Sequence, residues 1–127
     1  MMNKYEAQHW FWSQFGWTAY NESTVPDNAM SLNNGRYITY EAANGSFGSD
    51  MLLSASLWHK SSSWVTIHAK AQEVVAYFAT AMPPSFPIEG GRMKVRPGDP
   101  FAQDGADDDP GIRRVRFNFY LEFITKA

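Results

Sequence analysis

Between residues 112 and 125 the chain alternates without a break: Val115, Phe117, Phe119, Leu121 and Phe123 interleave with Arg114, Arg116, Asn118, Tyr120 and Glu122. A period of two is the spacing of a β-strand, whose successive side chains leave opposite faces. A strand this long with one wholly apolar side demands neighbouring strands and a layer to cover that side. The rest of the sequence supplies both.

The cover comes from two helical segments. Residues 62–82 carry Trp64, Ile67, Ala71, Val74, Val75 and Phe78 on one side, while Thr66, Lys70, Gln72 and Glu73 lie mostly outside that stripe. Ser61, Ser62 and Ser63 offer an N-cap, and Pro83 and Pro84 cannot continue the helix. A shorter amphipathic helix is predicted over 4–15, with Tyr5, Trp12 and Phe15 near helical spacing, flanked by Ala7, Trp10 and Phe11, and Gly16 as its stop. A helix this short needs tertiary packing to hold it.

The neighbouring strands come from four further segments. Residues 36–43 set Ile38, Tyr40 and Ala42 against Tyr37, Thr39 and Glu41; residues 51–60 set Leu53, Ala55 and Leu57 against Ser54, Ser56, Trp58 and Lys60. Short strands are expected at 18–20 and 92–95. The stretches 21–35 and 83–91 read as loop and linker, Pro97–Gly98–Asp99–Pro100 as a turn, and the acidic stretch 101–111 as a solvated loop. The expected fold is α+β: one domain over 1–127, a mostly antiparallel sheet of four to five strands packed with two helices as a two-layer sandwich.

Composition narrows the function classes. With 44% apolar and 19% charged residues the chain can bury a core, which argues against disorder. Aromatics reach 16%, a surplus that serves either core filling or an interface. A net charge of −2 with dispersed cations lacks the footprint of a nucleic-acid binder. There is no cysteine, so disulfides, thiolate metal sites and cysteine nucleophiles are excluded. No apolar run approaches the ~20 residues that span a bilayer, and the aromatic N-terminus lacks a leader's continuous apolar core; a soluble, unprocessed protein is expected.

Catalytic patterns are not evident. His59 and His68 are close enough in sequence order to approach each other across a strand–helix junction, but neither they nor His9 sit in a metal-ligand spacing. No serine lies in a nucleophile elbow, and the glycines form no phosphate-cradling loop. The only carboxylate cluster, Asp104, Asp107, Asp108 and Asp109, lacks the alternation and distal Glu of a calcium loop. It reads as a solvated loop, or as an acidic rim that repels DNA phosphates or meets a basic partner. Arg113, Arg114 and Arg116 are too few for a nucleic-acid patch; ion pairs to that loop or to a neighbouring subunit are expected. No cofactor and no enzymatic activity are expected.

Several stretches, in order, resemble the tail-terminator (tail-completion) proteins of long-tailed bacteriophages: FWSQFGWTAYNESTVPDNA, YITYE, SLWHKSSSWVTIHAKAQEV, and GDPFAQ followed by DPGIRRVRFNFYLEFIT. They cover most of residues 4–126, though none is a catalytic signature and the first helix is short for the pattern. The resemblance implies a small α+β subunit of a hexameric ring. That ring caps the tail tube, stops its polymerisation and presents a surface for head attachment. The implied partners are further copies of the chain, the tube protein, a head-completion or neck protein and the tape-measure protein, with DNA only as passing cargo and no membrane. The implied location is the tail–neck junction of the virion, after assembly in the host cytoplasm. Ring closure needs two complementary patches per subunit; Tyr40, Trp58, Arg114, Arg116 and Tyr120 are the expected interface residues, unless the sheet's faces are reversed and they are core. The aspartates at 104–109 are expected to line the lumen or face a partner. The rival readings are a neck stopper or adaptor and, in a different class, a small-ligand binding module.

Overall fold

The computed structural model describes residues 1–80, 84–105 and 107–125. The predicted helix end at Met82, Pro83 of its stop, Ala106 in the acidic stretch and Lys126 at the end of the resemblance lie outside them. In chain order the elements are α1 (Lys4–Ser13), β1 (Ala19–Asn21), α2 (Ala29–Leu32), β2 (Arg36–Tyr40), β3 (Asp50–Lys60), α3 (Val65–Thr80), β4 (Ser85–Ile88), β5 (Gly91–Gly105) and β6 (Ile112–Thr125). The strands form one six-stranded sheet in the order β1-β2-β3-β6-β5-β4.

The architecture is α+β, but the sheet has six strands rather than four or five, and it is mixed: β1 runs parallel to β2 while every other pair is antiparallel. One correction adds the sixth strand and a second lengthens a predicted one. The predicted linker contains β4, which hairpins onto β5 through Glu89 and Gly90. The predicted turn and part of the predicted loop belong to β5, which continues to Gly105 across a register shift between Pro97 and Ala102. An irregularity at that point accommodates two prolines that an ordinary ladder would not accept. The short α2 lies in a stretch read as loop.

The core lies on one face. Val115, Phe117, Phe119, Leu121 and Phe123 are all buried, as the alternation requires, together with Ile38, Ala55, Leu57, Met93 and Val95 from the flanking strands. Over them sit Ile67, Ala71, Val74 and Phe78 of α3 and Ala7, Phe11 and Trp12 of α1, in the same apolar cluster. Trp12 packs on Phe117 and Phe119, and Phe101 bridges Phe78 to Phe117, so the aromatic surplus is partly core filling.

Short as it is, α1 is well anchored. Asn3 and Glu6 form a reciprocal capping box, each side chain accepting from the other's backbone N–H. Gln8, buried, donates to the carbonyls of Lys4 and Ala43 and accepts from the Ala43 N–H, which clips the helix to the chain leaving β2. At its far end Lys70 of α3 donates to the Phe15 carbonyl at 2.9 Å.

Candidate contact surface on the second face of the sheet

The alternation that buries one side of each strand leaves the other side to be accounted for. Ladder register places Tyr37, Trp58, Arg114 and Gly105 in one row across β2, β3, β6 and β5, and Thr39, Ser56, Arg116 and Gln103 in the next. A further row sets Leu52 beside Tyr120 and Arg96. Neither α1 nor α3 lies on this side; at the β1 edge Asn33, just after α2, donates to the Tyr20 hydroxyl at 2.9 Å.

The first row is a stack. Tyr20 meets Tyr37 edge-on with centroids 6.0 Å apart, Tyr37 lies 6.3 Å from Trp58 at 20°, and the Arg114 guanidinium sits 4.5 Å over the Trp58 ring. Two hydrogen bonds fix it from beneath: Trp58 Nε1 donates to Thr39 Oγ1 at 2.9 Å, and Arg114 Nε donates to Ser56 Oγ at 3.0 Å. Gly105 leaves the Arg114 stem the room it occupies. These contacts pre-order three long side chains, so a partner meeting them loses less side-chain freedom on binding.

Burial lowers the pKa of Arg114 and nearby Arg116 adds to this, against the pull of Asp107 and Glu22; it stays cationic at neutral pH. Burial likewise raises the pKa of the Tyr37 hydroxyl, with Asp107 and Tyr20 adding to it. Arg116 is exposed and has no carboxylate within ion-pair distance among the described residues. In the third row Arg96 lies 5.1 Å from the Tyr120 ring and 2.5 Å from Asp50, beside Leu52, which is 62% exposed.

Of the five expected interface residues, four lie on this face: Trp58, Arg114 and Tyr120 half-buried, Arg116 exposed. Tyr40 does not. It shares its face with Ile38, stands opposite Ala55, whose small side chain leaves room for its ring, and is buried in the core, with its hydroxyl 3.0 Å from His9 Nδ1. Tyr20, Tyr37, Leu52 and Arg96 join the surface without having been expected there. The alternation of residues 36–43 already sets Tyr37 opposite Tyr40; Arg96 lies one residue beyond the strand predicted at 92–95, on the continuation of β5.

The aspartates divide. Asp104 is a strand residue of β5, aimed at α3, with Oδ1 3.0 Å from His68 Nε2. Asp107 and Asp109 shape the turn into β6, accepting from the backbone N–H of Asp109 and Gly111 respectively, and Asp108 is exposed between them. The expected ion pairs from the arginines to this stretch are not formed among the described residues. Arg113 instead stacks 5.3 Å from Trp64 and donates to the Ser62 carbonyl.

The histidines have separate surroundings. His9 meets Tyr40 and Ser13, and His68 lies on Trp64. His59 stands in register between Arg36 and Arg113, beside Trp17, with burial and then Arg36 pushing its pKa down. Its Nδ1 and the Nε of Arg113 are buried without a hydrogen-bond partner. Among the described residues no group of three or more His, Cys, Asp or Glu is placed to hold a metal ion. A surface hollow of about 360 Å³ by the β4–β5 turn is lined by Met1, Pro87, Ile88, Arg92 and Ile124 among others, with no carboxylate or histidine. No helix among the described residues is long and apolar enough to cross a membrane.

Compared with known proteins, the chain matches no family model, no curated protein and no solved structure.

Proposed function

We propose that this chain is a non-enzymatic assembly protein that acts by contact, and that its assembly is the tail of a long-tailed bacteriophage. There it forms a ring on the end of the tube, stops tube growth and offers a surface to the head-side connector. The observation that carries the contact reading is the second face of the sheet, where an ordered Tyr–Trp–Arg stack lies beside Arg116, which has no ion-pair partner among the described residues, with neither α1 nor α3 over it. Trp, Tyr and Arg are the residues on which interface energy concentrates. The resemblance of the four sequence stretches supplies the phage context and the ring.

Electron microscopy of particles made with this reading frame disrupted tests the assignment. Overlong tubes without heads are the expected outcome. Tails of normal length detached from heads would move the protein to the neck stopper or adaptor class. Normal infectious particles would exclude a structural role and favour the small-ligand module.

A further inference from the structure

The dipeptides Asn34–Gly35, Asn44–Gly45 and Asp104–Gly105 carry the same chemical liability. In each, the backbone nitrogen of a glycine, shielded by no side chain of its own, can attack the side-chain carbonyl of the residue before it. Asparagine counts among the heat-sensitive residues of proteins. Attack needs a glycine N–H free of other bonds and a local chain that can turn. The fold decides which of these dipeptides meets both conditions.

Two of them are held. Asn34 is exposed, but it occupies the left-handed position after α2, with φ 55°, and the Gly35 N–H donates to the Met30 carbonyl at 2.7 Å. That bond closes the C-terminal cap of the helix, and the Gly35 carbonyl accepts in turn from the Lys60 N–H at 2.8 Å. Asp104 and Gly105 are ladder residues of β5, in register with Val115 and Arg114 of β6. The Asp104 carboxylate also lies 3.0 Å from His68 Nε2.

The third is open. Asn44 is exposed in the irregular connection from β2 to β3, and among the described residues neither its side-chain amide nor the Gly45 N–H makes a hydrogen bond. The chain is clipped on either side of this free peptide. Ala43 is bonded through its N–H and C=O to Gln8, and the Gly45 carbonyl accepts from Lys4 Nζ at 2.7 Å. The reactive peptide therefore lies between the contacts that tie α1 to the sheet.

We infer that Asn44 is a site of spontaneous deamidation in the folded protein, and that the reaction loosens the first turn of α1. The Gly45 nitrogen bonds to Asn44 Cγ, the Cγ–Nδ2 bond breaks, and the amide leaves as ammonia with the Gly45 proton. The succinimide so formed is opened by water at either carbonyl. One opening leaves aspartate at 44. The other leaves isoaspartate, whose main chain runs through the former side chain and is one carbon longer. With Ala43 held by Gln8, the longer chain carries the Gly45 carbonyl out of register with Lys4, and the bond between them is lost. This site lies apart from the second face of the sheet and does not depend on the tail assignment.

The test is to age the whole chain in warm, mildly alkaline buffer, folded and in urea, and to map its tryptic peptides by mass spectrometry. Cleavage after Arg36 and Lys60 puts Asn34 and Asn44 on different peptides. In the folded chain Asn44 should convert at least about tenfold faster than Asn34, the equivalent of the one hydrogen bond that Gly35 must break. In urea the two rates should converge. Asn44→Gln, whose side chain would have to close a larger ring, should stay unmodified. Amide exchange in the first turn of α1 should quicken as the parent chain ages and stay constant in Asn44→Gln. Equal rates at Asn34 and Asn44 in the folded chain, a difference that persists in urea, a stable Asn44, or the same α1 exchange in both aged proteins would each overturn the proposal.

Discussion

The amide of Gln8 is the most fully used polar group in the core, holding three hydrogen bonds while only 3% exposed. Gln8→Ala removes all three and leaves the Ala43 N–H and C=O without their partner, so a loss of about 3 kcal/mol is expected in urea unfolding. His59 makes a second residue-level prediction, about pH. Its folded pKa lies below the ordinary histidine value, so between the two the unfolded chain binds more protons than the folded one. Stability should therefore fall as pH drops through about 6.5, then level off below the folded pKa. Urea midpoints across that window should show this slope, and His59→Gln should lose it. A slope unchanged in the variant would assign the effect to another group.

Among the elements, the pairing of β5 with β6 allows the least tolerance. A Cβ at Gly91 would overlap the Ile124 carbonyl oxygen, a backbone atom that cannot swing aside. Gly91→Ala should cost about 2 kcal/mol, visible as a lowered thermal midpoint and faster amide exchange at the β4 end of the sheet. The same strand shows where sequence reading failed. β6 was legible residue by residue because its alternation is uninterrupted, and α3 because Ile67, Ala71, Val74 and Phe78 keep helical spacing. β5 was not, because Pro97, Gly98 and Pro100 are local turn signals, whereas the strand pairs with β6 on both sides of them, up to Pro97 and again from Ala102. β4 was hidden for a similar reason: Pro87 demotes a strand on local evidence, yet an edge strand tolerates it. At the candidate surface, alternation gave the faces of β3 and β6 correctly. The misplaced Tyr40 came from reading an aromatic residue as interface when its own face, shared with Ile38, was the buried one.

For the molecule as a whole, the division between a packed face and an open one predicts that stability and partner contact are separable. Trp58→Ala with Arg116→Glu removes the ordered stack and reverses a charge, while every core residue stays in place. The doubly substituted chain should unfold within a few degrees of the parent, since changes outside the core are usually small. In a tube-capping assay or a pull-down with tube protein it should lose most of its binding, as interfaces do when a Trp or Arg anchor is removed. Phe11→Ala should do the reverse, costing about 3–5 kcal/mol because Phe11 is the buried ring shared by Phe15, Tyr77, Phe78 and Phe86. Whatever protein still folds should retain contact. If both variants lose binding in proportion to their stability, the second face is not the contact surface.

The last strand in chain order lies between the two halves of the sheet, with β3 on one side and β5 on the other. A ribosome therefore delivers both halves before the strand that joins them, and a nascent chain lacking β6 has no Phe117 or Phe119 for Trp12 to rest on. The same strand brings Arg114, Arg116 and Tyr120 to the second face. A chain that stops short of residue 112 lacks the joining strand and these arginines together, so it can form neither the closed sheet nor the stack of Arg114 on Trp58.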